Sequence, residues 1–69
     1  MMERDRYFEL SESMKGEIVN VVTRHGDTLT GLWKSNQIND RTGEIRMVIE
    51  MEKRDSYINC NQILTIEKS

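Results

Sequence analysis

Apolar and polar positions split this chain into a helical opening and a β remainder. Tyr7, Leu10 and Met14 recur at i, i+3 and i+7 with Phe8 beside them, while Glu9 and Glu12 lie off that stripe. This spacing predicts an amphipathic helix over about residues 4–15. Asp5 is placed to cap it, and Gly16 stands just past its end, where a glycine can take the left-handed conformation. So short a helix is marginal in water by itself, so it is expected to dock on the rest of the chain.

After Gly16 the period changes. Glu17 to Arg24 contains Ile18, Val19, Val21, Val22 and Thr23, a run of β-formers with apolar residues on both faces. It predicts a strand covered on both sides, with the helix over one of them. His25-Gly26-Asp27 is a turn, and the hairpin Glu17–Gly31 is the expected organising element. Thr28 to Asn36 is the second strand. Leu29, Gly31 and Trp33 share one face, and Thr28, Thr30, Leu32 and Lys34 share the other. A glycine inside a strand marks a sharp bend or a close backbone approach.

Residues 36–43, NQINDRTG, read as a polar loop. Glu44 to Glu52 has the cleanest alternation: Ile45, Met47, Ile49 and Met51 against Arg46, Val48, Glu50 and Glu52, one buried face and one wet face. Lys53-Arg54-Asp55 reads as a turn, Ser56–Asn59 as a short fourth strand, and Ile63–Glu67 as a fifth reached through Cys60-Asn61-Gln62. The last strand pair is expected to pack back on the first hairpin. One helix and five short strands with a bend glycine predict an all-β domain, a small strongly bent barrel of the SH3-like or OB type. The leading helix and the short link between the last strands favour a five-stranded SH3-like barrel, with the barrel over about residues 17–67.

Composition narrows what such a fold can do. At 69 residues the chain is one domain with little core, and packing or self-association must supply stability. With one cysteine and one histidine there is no intramolecular disulfide, and a zinc site is not expected. No cofactor is expected either. The net charge of −2 and pI near 5.3 are not those of a strongly basic nucleic-acid binder. Basic residues nevertheless fall in local groups: Arg4, Arg6 and Lys15; Arg24 and Lys34; Arg41 and Arg46; Lys53 and Arg54. There is no long apolar run and no signal-peptide core, so a soluble cytoplasmic protein without membrane contact is expected. Proline is absent, which leaves the edge strands without one common guard against pairing.

No catalytic constellation emerges, and the chain is read as a non-enzyme. His25 sits in a turn with no nucleophile near it in sequence. Cys60 has no neighbour in sequence that would make its thiol acidic. Trp33 is assigned to the core or an interface, Tyr7 and Phe8 to helix docking, and Met47 and Met51 to core filling. Tyr57, entering an edge strand, is expected to pack between subunits.

Two segments resemble the motifs of the Sm-like family (Sm, LSm and bacterial Hfq proteins). Val19, Val21, Gly26, Leu29 and Gly31 are similar to its first motif, alternating apolar residues with a turn glycine and a glycine in the bent second strand. Residues 57–66, YINCNQILTI, are similar to its second, an apolar residue, Arg-Gly, a polar pair and Ile-x-x-Ile. The resemblance spans about residues 5–67 and implies an Sm-like fold. It also implies a cyclic homo-oligomer in which the fourth strand of one subunit pairs with the fifth of the next, and single-stranded RNA bound near the pore. By the same resemblance Gln37, Asn39, Asn59 and Asn61 are the RNA-binding residues. Gln37 takes the place of the family's Asp, and Asn39 is the candidate for its Asn in a loop several residues longer than usual. Asn59-Cys60 replaces the Arg-Gly, which removes the guanidinium plane that contacts the base. The rival expectation is a structural or protein-interaction barrel that keeps the ring and has lost RNA binding.

Overall fold

The computed structural model describes residues 2–69. A helix α1 (Arg4–Met14) leads into strands β1 (Ile18–Thr23), β2 (Thr28–Ile38), β3 (Ile45–Met51), β4 (Arg54–Asn59) and β5 (Ile63–Lys68), with a 3₁₀ turn at Cys60–Gln62 before the last. All neighbours are antiparallel, in the order β4-β3-β2-β1-β5. The expected helix and five strands are all present. β4 and β5 lie at opposite edges and do not pair, so the sheet is open rather than closed. Only β5 returns to the first hairpin; β4 pairs with β3. No helix among the described residues is long and apolar enough to cross a membrane.

The bend is built into β2. Residues Thr28–Leu32 pair with β1, and Leu32–Ile38 pair with β3, so one strand serves two halves of the sheet. Gly31 lies at the junction. A Cβ there would run into the Glu50 carbonyl oxygen and lie 2.7 Å from Met51 Cγ, so only glycine lets β3 fold over β2 at this point. The register then shifts between Trp33 and Ser35, a bulge that increases the local twist.

The core lies on the concave side. Trp33, Tyr7, Met47, Ile49, Ile63, Val19 and Val21 are its fully buried members. β1 differs from expectation: Val19, Val21 and Thr23 are buried, but Ile18 on the opposite face is 48% exposed. The helix packs on the same core as that buried face, so it leaves the other face uncovered.

Helix α1 is held by more than its apolar stripe. Ser11, at i+4 from Tyr7, is buried with Tyr7 and Leu10. Asn36 of β2 joins them: its Oδ1 accepts from the Tyr7 hydroxyl and from Trp33 Nε1 at 2.9 Å, and its Nδ2 donates to Ser11 Oγ at 2.8 Å. Every buried side-chain nitrogen and oxygen among the described residues has a partner. The helix does not start on an Asp5 cap. Glu3 occupies the N-cap position with no side-chain hydrogen bond, and Asp5 sits in the first turn, where its charge suits the helix dipole. Gly16, with φ at +94°, turns the chain so that its N–H donates to the Trp33 carbonyl at 2.7 Å.

Two connections also differ from expectation. β2 continues to Ile38, with Asn36, Gln37 and Ile38 opposite Met47, Arg46 and Ile45. The polar loop is therefore shorter, closed by the Asn39 N–H to the Glu44 carbonyl at 2.8 Å. Polarity disguised Gln37 as a loop residue, while backbone pairing with β3 keeps it in the strand. The turn before β4 is Glu52-Lys53, with φ of 51° and 66°, and Arg54 and Asp55 already belong to the strand. This two-residue connection carries neither the glycine nor the asparagine that normally marks it.

Candidate nucleic-acid interface

The cross-strand register assembles a polar row at one end of the sheet. Gln37 of β2 lies opposite Arg46 of β3, and Arg46 lies opposite Asn59 of β4. Directly opposed residues project to the same face, so Gln37, Arg46 and Asn59 share one. Two small clefts flank this end. One, of about 190 Å³, is lined by Gln37, Asn39, Glu44 and Arg46. The other, of about 200 Å³, is lined by Arg4, Thr42, Gly43, Cys60, Asn59 and Asn61 among others. Glu44 borders both, and its Oε2 lies 4.0 Å from Arg46 Nη2 in an exposed pair.

The four residues singled out in the sequence are thus neighbours, split between adjoining clefts. Their chemistry is partly committed. Asn39 Oδ1 accepts from the Arg41 N–H at 2.9 Å, and the Gly43 N–H donates to the Asn39 carbonyl at 2.7 Å, so this residue organises its own loop. Asn59 Oδ1 accepts from the Asn61 N–H at 3.2 Å and caps the 3₁₀ turn. Each keeps its amide N–H₂ group as a donor. Gln37 and Asn61 are exposed and make no side-chain hydrogen bond among the described residues. Gln37 belongs to a strand rather than to a loop, which fixes its backbone and its direction.

Three features of the site were not assigned to it in the sequence. Arg46 stands between Gln37 and Asn59 because the register puts it there. Thr42 and Gly43 form the loop wall of the second cleft, and Gly43 has φ of +76°. Arg4 reaches this cleft from the start of α1: its Nη1 would lie 3.8 Å from a Cβ built on Gly43. No local signal could have joined Arg4 to Asn59, because they lie at opposite ends of the chain.

Cys60 closes the floor. Its side chain is buried, its Sγ lies 3.9 Å from the Met2 carbonyl, and burial pushes the thiol pKa up, with the Arg4 charge pulling it partly back. A thiol held in its neutral form is a packing group and a poor nucleophile. Trp33 is fully buried and bonded to Asn36, so it is a core residue, not a stacking platform. Tyr57 is 54% exposed on β4.

Comparison of the chain with protein-family models, with curated proteins and with solved structures finds no match.

Proposed function

We propose that this protein is an Sm-like ring subunit that binds single-stranded RNA without catalysis, using Gln37, Asn39, Asn59 and Asn61 with Arg46. The observation that carries the reading is the convergence of residues 39–44 and 59–61 on one end of the sheet, around the row Gln37–Arg46–Asn59. Unspent amide donors there suit the edges of unstacked bases, and the guanidinium suits a phosphate.

The ring is supported by two open edges. The two-residue turn makes Met51 and Arg54 a bonded pair, so Asp55, Tyr57 and Asn59 turn their backbone groups away from β3. On β5 the Ser69 N–H donates to the Ile18 carbonyl, which by alternation leaves the backbone groups of Ile66 and Lys68 turned away from β1. Beside β5 runs a groove of about 730 Å³ lined by Leu10, Met14, Leu64 and Ile66. In this reading β4 of a second copy extends the sheet at β5, and its exposed Tyr57 enters the groove. Such a heterologous contact closes into a ring when its rotation divides a full turn. It also adds the burial that a domain this small lacks.

The test combines light scattering with fluorescence anisotropy of short U-rich and A-rich oligoribonucleotides over a salt series. The reading expects an oligomer at micromolar concentration and binding that weakens with salt. A monomer removes the ring. An intact oligomer that ignores RNA at low salt leaves a structural or protein-interaction ring, which the net acidic charge favours.

A further inference from the structure

We infer that Arg4, carried by the helix, is the guanidinium of the Asn59–Asn61 cleft, and that it holds an RNA base or its phosphate there. The inference rests on the RNA reading above and assigns a residue that this reading does not include. The cleft of about 200 Å³ is smaller than drug-sized pockets and fits one planar ring system. Its donors are the amides of Asn59 and Asn61 and the Thr42 hydroxyl. Amides and hydroxyls can hold a base edge, but they give neither a flat cationic surface nor a counter-charge for phosphate. Arg4 is the one cation lining this cleft among the described residues.

Three observations aim Arg4 inward. Its guanidinium reaches the Gly43 wall of the cleft, with Nη1 at ordinary van der Waals distance, 3.8 Å, from a Cβ built there. Its charge is felt at Cys60 on the cleft floor. Among the described residues it makes no ion pair, whereas Arg6 one turn-fraction away is engaged by Glu9 at 3.7 Å and Arg46 by Glu44 at 4.0 Å. The helix that bears Arg4 is fixed to β2 through Asn36, so the guanidinium is presented by a docked element and not by a free tail. The strand position next to Cys60 carries Asn59 and no guanidinium, and the helix places Arg4 on the same cleft.

The test uses the full chain and four forms: unaltered, Arg4→Ala, Arg4→Lys, and Arg4→Ala combined with Asn59→Arg. Oligomer state and urea midpoint are measured first, then anisotropy with U-rich and A-rich oligoribonucleotides at several salt concentrations. Arg4→Ala is expected to weaken binding about tenfold with the oligomer and midpoint unchanged. Arg4→Lys should keep the salt slope yet recover only part of the affinity, because an ammonium is not a planar fork. Asn59→Arg should recover part of the binding lost in Arg4→Ala, since either position delivers a guanidinium to one cleft while the Asn59 amide is given up; no recovery at all would place the two positions in different sites. If the unaltered protein binds and Arg4→Ala binds equally well, Arg4 is outside the site, and the RNA reading survives without it. Equal affinity for Arg4→Lys would reduce its role to charge alone and overturn the planar contact. An unaltered oligomer with no affinity for RNA at low salt removes both readings together.

Discussion

Two polar clusters in this protein use similar side chains to opposite ends. Around Asn36, the Tyr7, Ser11 and Trp33 polar atoms are buried and mutually satisfied. Around Asn59, the amides of Asn39, Asn59 and Asn61 and the guanidiniums of Arg4 and Arg46 are accessible, with donor capacity left over. A polar group that has found all its partners inside the protein holds the fold together. One that keeps donors at the rim of a cleft is available to a ligand. Asparagine serves in both places, so residue type does not separate the roles; burial and completed hydrogen bonding do.

The sharpest test of this contrast is Asn36→Ala. It strips partners from the Tyr7 hydroxyl, Trp33 Nε1 and Ser11 Oγ at once, and the expected loss is about 3 kcal/mol by urea unfolding. A loss under about 1 kcal/mol would mean that the cluster is not the helix anchor. Tyr7→Phe removes one donor from the same cluster and keeps the ring, so about 1.5 kcal/mol is expected by the same measurement. Asn59→Ala removes the cap on the 3₁₀ turn and should cost about 1 kcal/mol in stability while also weakening RNA binding. If stability falls by more than for Asn36→Ala, the ordering of the two clusters is wrong.

A smaller effect is expected from alkaline pH. Burial raises the pKa of the Tyr7 hydroxyl well above its ordinary range and raises that of the Cys60 thiol. The folded chain then keeps protons that the unfolded chain releases, so the unfolded state binds fewer and stability falls with rising pH. The contribution is complete below about pH 8.5, the ordinary thiol pKa, and declines first for Cys60 and then above about pH 10 for Tyr7. Unfolding midpoints of Tyr7→Phe combined with Cys60→Ala should vary less over this window than those of the unaltered chain. An unchanged slope would assign the pH dependence elsewhere. The smallest stability change is expected for Arg4→Ala, within about 0.5 kcal/mol, as for a side chain that serves the ligand and not the fold.

Much of the fold could be read from particular residues. Tyr7, Leu10 and Met14 gave the helix its period, and Ile45, Met47 and Ile49 gave β3 its alternation, because each needs one apolar face toward a core. Gly31 announced the close approach that Glu50 and Met51 make. Asn36, read as the last residue of the second strand, gave no sign of its role, because its three buried partners come from distant or non-adjacent positions. Glu52-Lys53 misled, because residues that seldom take positive φ are held there by the pairing of Met51 with Arg54. At the candidate site, Gln37, Asn39, Asn59 and Asn61 were legible through a resemblance in spacing. Arg46 and Arg4 were not assigned, since one enters by strand register and the other by helix docking.

The sequence by itself determined the order of elements, the apolar stripe of the helix and the close approach at Gly31. These depend on period, β-branching and the missing Cβ, which are properties of residues and their near neighbours. Tertiary structure alone decided that Asn36 is an anchor and that Arg4 and Asn59 line one cleft. Both facts join residues far apart in the chain, and only packing of the helix on the sheet brings them together.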